Sequence, residues 1–365
     1  MGRAGVRLSD LRGGGVPCIT LRTLGIPKGD RDMNAVPITA EYIEGAVSLE
    51  EGDYLRPWRL VLAEKELFYP EDGLMAKARI PAGVRVRFET GAPAVTLRVK
   101  PAKEARAFDL TCGADILQTV RLPAGQRAVR FTDLGDETRV YEVWLPSDVS
   151  VALRALAVPN GKTIGPAPVD RRPRWVAYGS SITQCAGAHS PARTWPATAA
   201  RMVDLNLTCL GYGGDCHCDP IVAMTMRDLP ADVITMKLGI NIMGSSSLSP
   251  RSYQPAVIGM VRTVRQKHPT TPVGIITSII SPPRETQPNS VGMTLALFRE
   301  HTAEAVRRLR ACGDEHLHLF SGLDLLGEAD LTLLPDDLHP NGDGYELIGR
   351  RAAELVLPAL LADRP

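Results

Sequence analysis

The stretch Trp175-Val-Ala-Tyr-Gly-Ser-Ser-Ile-Thr183 runs from an apolar segment through Gly179 into two adjacent serines, Ser180 and Ser181. A serine hydroxyl is a weak nucleophile until a base takes its proton. A base of that kind stands far downstream, in Pro335-Asp-Asp-Leu-His-Pro340. His339 can accept the proton, and Asp336, three residues before it, can hold the ring in one tautomer. Between these ends lie two segments suited to stabilising an oxyanion. Leu210-Gly-Tyr-Gly-Gly-Asp215 offers glycine N–H groups that can approach a substrate oxygen with no side chain in the way. Leu238-Gly-Ile-Asn241 offers the Asn241 amide as a further donor. Taken singly, each segment has an ordinary reading as a βα turn, a helix cap or an Asx turn. Taken together, they supply every group that acyl transfer through a serine needs.

Such groups cooperate only if the chain delivers them to one place. Strands are expected at 175–178, 205–210, 233–238, 273–277 and 316–320, as short apolar runs rich in β-branched residues. Helical patterns separate them. Ser249-Pro250 caps and opens one helix, whose Val257, Val261 and Val264 share a face. Others are expected at about 293–309 and 342–361. Alternation of this kind predicts an α/β domain with a parallel sheet covered on both faces. The candidate residues all fall just beyond, or between, predicted strands, and open α/β sheets bind ligands at their carboxyl edge.

The first half has a different texture. Val84-Arg-Val-Arg-Phe88, Val95-Thr-Leu-Arg-Val99, Ala107-Phe-Asp-Leu110, Ala128-Val-Arg-Phe131, Arg139-Val-Tyr-Glu-Val-Trp-Leu145 and Val151-Ala-Leu-Arg-Ala-Leu156 alternate apolar and polar residues, with Gly/Pro turns between several of them. They predict an all-β sandwich, jelly-roll-like, over 38–158. Residues 1–37, rich in Gly, Arg and Pro, read as a poorly ordered leader, and 159–172 as a linker to the α/β domain at 173–365.

Composition narrows the function. Lys+Arg number 42 against 41 Asp+Glu, so no global field draws the chain to nucleic acid, and no dense basic block suits an anionic membrane. No apolar run reaches the length of a membrane span, and the amino terminus lacks the apolar core of a secretion signal. Seven irregularly spaced cysteines suit reduced thiols in a cytoplasmic protein. Cys216-His-Cys218 invites a zinc reading, but no second ligand pair stands at finger spacing, so a pocket-lining role is expected and no metal or cofactor is invoked. Cys185 reads as a buried structural cysteine rather than a reactive thiol, and Tyr178 and Trp195 as core. Arg284, in Ser281-Pro-Pro-Arg284, is a candidate polar contact to substrate, against the plainer reading of a solvated loop arginine.

Gly179-Ser-Ser-Ile-Thr183, Gly214, Gly239-Ile-Asn241 and Asp336-x-x-His339 resemble, in order, the four blocks of the SGNH (GDSL) hydrolase superfamily. The resemblance covers about residues 173–365 and implies a flavodoxin-like three-layer domain. It implies Ser181, not Ser180, as nucleophile, with Asp336 and His339 completing a triad. It also implies Gly214, Asn241 and the N–H of Ser181 as the oxyanion hole. Two departures stand out: Ser180 occupies the place of the Asp in Gly-Asp-Ser, and Gly-x-Asn-Asp here ends in Ile242. Neither removes a group the chemistry needs. A β-domain ahead of such a core looks like the two-domain branch that includes carbohydrate esterases and acyltransferases tailoring natural products. The expected function is hydrolysis of a small-molecule ester. The alternatives are acyl transfer to an alcohol of a sugar or secondary metabolite, and a catalytically silent binding protein. Few aromatics are available for stacking on sugars, so the β-domain is expected to wall the active site rather than bind carbohydrate.

Overall fold

The computed structural model describes residues 33–69 and 73–364. Five parallel strands form the sheet of the second domain, ordered Asn206–Gly211, Arg174–Gly179, Val233–Lys237, Val273–Ile276 and Leu317–Phe320. This is the flavodoxin-like order, in which the direction of winding reverses after the first strand in sequence, Arg174–Gly179. The reversal opens a crevice beyond the carboxyl ends of Arg174–Gly179 and Val233–Lys237. Ser181 follows the first of these strands and Asn241 the second.

The strands are buried runs such as Val233-Ile-Thr-Met-Lys237, in which every residue is buried. Helices cover the sheet in two groups. Trp195–Met202 packs with Gly342–Arg351, while Pro220–Asp228, Pro250–Arg265 and Leu295–Ala311 pack in series. Pro250–Arg265 starts as expected, with Ser249 and Ser252 capping each other and with Val257, Val261 and Val264 buried. The last helix is not continuous. Gly342–Arg351 passes through a π-helical turn at Ala352–Val356 into Leu357–Ala362. Pro358, which has no N–H to donate to the preceding turn, accounts for that break.

The first domain is a sandwich of two antiparallel sheets. One contains Met33–Pro37, Leu153–Pro159, Val95–Val99 and Ala128–Phe131. The other contains Ile164–Pro166, Arg85–Thr90, Arg139–Trp144, Arg106–Cys112 and Asp115–Leu122, with Ile43–Glu44 added beside Arg85–Thr90. A separate core, with Val86, Phe88, Leu97, Phe108, Val129 and Leu156 among its members, lies between them. The sandwich extends past the expected boundaries at both ends. Met33–Pro37, expected in the leader, is a strand paired to Leu153–Pro159, and Ile164–Pro166, expected in the linker, pairs with Arg85–Thr90. The rest of the expected leader, residues 1–32, lies outside the described residues.

The two domains are joined by buried polar groups. Arg59 is fully buried and donates to the carbonyls of Ile80 (2.5 Å), Lys77 (2.6 Å), Cys209 (3.2 Å) and Gly211 (2.5 Å). Arg85 donates to the Leu207 carbonyl (2.5 Å) and to Asn206 Oδ1 (2.5 Å). Leu207, Cys209 and Gly211 alternate along the outermost strand of the parallel sheet, on the side no other strand covers. Asp109, also buried, accepts from the main-chain N–H of Ala192 at 2.6 Å. Trp58, Leu60, Leu74 and Trp144 of the first domain belong to the hydrophobic core of the second.

Candidate active site

The turn after Arg174–Gly179 separates the two serines by function. Ser180 is fully buried and caps the four-residue helix Ser181–Gln184, its Oγ accepting from the Ile182 N–H at 3.2 Å. Ser181, at the first helical position, faces a cavity of about 450 Å³. Gly179 makes the turn possible, because a Cβ there would sit 2.2 Å from Thr183 Oγ1.

Across the cavity, Asp336 and His339 lie on the turn before Gly342–Arg351. Asp337, between them, takes a left-handed conformation (φ 59°), which an aspartate tolerates better than most residues. The bend lets Asp336 bond His339 twice: Oδ2 to ring Nδ1 at 2.8 Å and Oδ1 to the main-chain N–H at 2.6 Å. Partial burial pushes the Asp336 carboxyl up. The hydrogen bonds from the His339 ring and from the main-chain N–H groups of His339 and Leu338 outweigh it and hold the carboxyl below the usual aspartate range. The far ring nitrogen, Nε2, lies 3.0 Å from Ser181 Oγ. With Nδ1–H donated to the carboxylate, Nε2 is left as an acceptor for the serine proton.

Gly214 and Asn241 line the same cavity. Gly214 has φ +86° and open space where a Cβ would be, so backbone conformation rather than crowding selects glycine. Its carbonyl is held by His217 Nε2 at 2.9 Å, and His217 Nδ1 meets Ser247 Oγ at 2.8 Å. Asn241 stands on the first turn of Ile240–Ser245. Its Oδ1 accepts from the Cys216 N–H at 3.2 Å, which leaves the NH₂ end of the amide as a free donor. Gln184, buried beneath this loop, accepts from the Gly213 N–H at 2.9 Å and donates to the Ser147 carbonyl of the first domain at 3.0 Å.

The remaining candidates sort cleanly. Arg284 lines the cavity and donates to Ser281 Oγ at 3.0 Å. Cys216, His217 and Cys218 do not converge: both thiols are buried, while the histidine ring is turned outward onto Gly214 and Ser247. Cys185 is fully buried, donates to the Ile182 carbonyl at 3.0 Å, and burial pushes its thiol well above the usual range. All six described cysteines are free thiols. Tyr178 and Trp195 are each 1% exposed. Cys216, His217 and Cys218, expected to line the pocket, stand behind it instead, with His217 bracing the Gly214 carbonyl. Two further residues lining the cavity were not anticipated: Lys77 and Gln184. Gln184 sits three residues beyond a candidate, Ser181. Lys77 comes from the first domain and carries no local signal.

Comparison with known proteins bears on the whole chain. Residues 177–347 match the GDSL-like lipase/acylhydrolase family, and residues 41–154 match the SsfX3 N-terminal domain. No curated protein sequence matches significantly. Among solved structures, salicylyl-acyltransferase SsfX3 from a tetracycline biosynthetic pathway is 29% identical with a TM-score of 0.81, over 90% of this chain and 99% of that one. A Bacteroides ovatus protein described as a GDSL-like lipase is 21% identical with a TM-score of 0.72, over 91% and 98%. A family two carbohydrate esterase from Cellvibrio japonicus is 14% identical with a TM-score of 0.60, over 91% and 98%. The last two likenesses bear on the fold alone. With one model over its α/β domain and the other over its β-sandwich, the chain carries a GDSL-like lipase/acylhydrolase domain behind an SsfX3-type N-terminal domain, the two-domain build it shares with SsfX3.

Proposed function

We propose that the protein is a serine-dependent acyl-transfer enzyme that opens small-molecule esters through an acyl-enzyme on Ser181. Ser181 Oγ attacks the ester carbonyl while its proton passes to His339 Nε2. Asp336 holds the ring and stabilises the imidazolium that forms. The Gly214 N–H, the Asn241 amide and the N–H of Ser181 receive the developing oxyanion, and donors of this kind contribute about 3 kcal/mol each. His339 then returns the proton to the departing alcohol. In the second half, water attacks the acyl carbon and His339 takes its proton; the bond to Ser181 then breaks, His339 returns the proton to Ser181 Oγ, and the acid leaves. The observation that carries this reading is the unbroken relay at 3.0 Å and 2.8 Å, opening into the cavity that Gly214 and Asn241 also line. The same relay argues against a catalytically silent binding protein.

A second reading gives the acyl group to an alcohol, on a sugar or a natural product, instead of to water. The likeness to an acyltransferase over both domains favours it. We place the protein in the cytoplasm, because six free thiols suit a reducing compartment. No helix among the described residues is long and apolar enough to cross a membrane.

The test is intact-protein mass spectrometry with short and aromatic activated esters, with and without alcohol acceptors. An acyl adduct that Ser181→Ala abolishes supports the acyl-enzyme. Faster discharge by an alcohol than by water supports transfer, and discharge indifferent to the acceptor supports hydrolysis. A Ser181→Ala protein that still forms the adduct overturns the assignment.

A further inference from the structure

Building on that proposed chemistry, we propose that the cavity is made for an ester whose acyl or alcohol part carries a carboxylate or phosphate, held between Lys77 and Arg284. Both side chains line the cavity that Ser181 and His339 share, and both are half-buried. They reach it from opposite sources. Lys77 lies on Leu74–Ala78 of the first domain, and Arg284 on Pro282–Thr286, in the segment after the fourth strand.

Among the described residues, no acidic side chain lines this cavity. The carboxylate behind it, Asp336, is committed to His339. Glu285, next to Arg284, is taken by Arg299 and by the Ser281 N–H. Among the described residues, neither Lys77 nor Arg284 has an ion-pair partner. Arg284 spends one donor on Ser281 Oγ, which itself donates to the Asp337 carbonyl at 2.7 Å, so the guanidinium is tied to the turn that carries Asp336 and His339. The rest of its planar fork is free for an oxyanion.

Lys77 is anchored through its main chain. Its carbonyl accepts from Arg59, whose other nitrogen donates to Gly211, the residue that ends the strand leading into the Gly214 loop. Four residues earlier, the Gly73 N–H donates to Asp215 of that loop at 3.0 Å. The main chain that carries Lys77 is thereby held in register with the loop of the oxyanion donors. Two like charges facing one cavity favour an anionic substituent there, which offsets both. The first domain then supplies part of the substrate specificity, which gives it a direct place in the reaction.

The experiment compares matched charged and neutral esters. 4-Acetoxybenzoate against 4-acetoxybenzamide places the charge on the alcohol side. The monoester 4-nitrophenyl adipate against 4-nitrophenyl hexanoate places it on the acyl side. In at least one pair, kcat/KM is expected to favour the charged ester by about tenfold or more, and rising salt should erode the preference. Lys77→Gln and Arg284→Gln should each lower that ratio several-fold, whatever happens to the neutral ester, and Arg284→Lys should restore part of it. Lys77→Gln leaves the main-chain bond to Arg59 in place. Which pair responds tells whether the anion sits on the acyl donor or on the alcohol. Ratios near one in both pairs, or ratios unmoved by the substitutions, overturn the proposal and leave the acyl-enzyme reading intact. Calorimetry with 4-hydroxybenzoate, 4-hydroxybenzamide and adipate gives a readout without chemistry. Binding of an anion that Arg284→Gln abolishes sustains the proposal even if no ester is turned over, and no charge-dependent binding there overturns it.

Discussion

Replacing Lys237 with methionine is expected to stabilise the protein by about 3 kcal/mol at pH 7, and the gain should shrink as the pH rises. Lys237 ends the third strand and is 1% exposed. Its Nζ has no hydrogen-bond partner among the described residues. Burial pulls its pKa down from 10.5 to about 8, against a smaller opposing pull from Cys216 and Cys185. A fall of roughly 2.5 units, at 1.36 kcal/mol each, gives the figure above. The sign follows from proton counting. Between about pH 8 and 10.5 the unfolded chain holds the proton that the folded chain has lost, so stability rises with pH across that window. Below it, the cost of burying the charge is fully present. Methionine fills similar space without a charge, so its advantage should fall from about 3 kcal/mol at pH 7 to about 1 kcal/mol at pH 10. Urea unfolding of both proteins at pH 7, 9 and 10, read as a difference, isolates this one group. A methionine variant less stable at pH 7, or a difference flat with pH, would refute the reasoning by showing that the amine stays ionised and well solvated in the fold.

Three further outcomes are expected. Ser180→Ala should keep its ester turnover while losing about 1 kcal/mol of stability from the missing cap, whereas Ser181→Ala should lose a thousandfold or more of kcat, roughly as triad knockouts do. Steady-state kinetics with denaturation curves separates the two, and a dead Ser180→Ala would move the nucleophile by one residue. Asn241→Ala should lower kcat about a hundredfold with little change in KM, the mark of a donor used mainly in the transition state; an effect confined to KM would make it a binding residue only. Gln184→Leu should cost about 2–4 kcal/mol in denaturant unfolding, because it strands the Gly213 N–H and the Ser147 carbonyl in the interior, and should lower kcat through the loosened Gly214 loop. Unchanged stability there would mean that water replaces the amide.

The candidate site was readable in the sequence to the extent that its parts follow strands of one parallel sheet. Ser181 and Asn241 come directly after buried apolar runs, and a parallel sheet sends all such ends to one edge. The Asp336–His339 spacing needed only one turn, although the left-handed Asp337 that shapes it leaves little local trace. Lys77 was hidden for a different reason. Its place depends on how Arg59 docks one domain on the other, and no periodicity near residue 77 encodes that contact. In the sandwich, Val95–Val99 and Ala128–Phe131 fall where alternation puts them. Asp115–Leu122 escaped notice because it is an edge strand, largely open to solvent, with Leu122 its one buried residue. Met33–Pro37 and Ile164–Pro166 are short, and their flanking Gly and Pro residues argue for loops more strongly than their own residues argue for strands.

The guanidinium groups set against Leu207, Cys209 and Gly211 bear on how such enzymes can be taken apart or recombined. A bare outer strand is a template on which another molecule's strand can grow, and here two arginines from a foreign layer stop that growth. Separated from its sandwich, the hydrolase half would carry a sticky margin and would tend to self-associate through added strands. Grafting another relative's front domain onto this core would succeed only if the graft brought its own pair of plugs to the same carbonyls. The two halves are therefore tied as an inheritance unit, and solubility as well as selectivity would hold the pairing together.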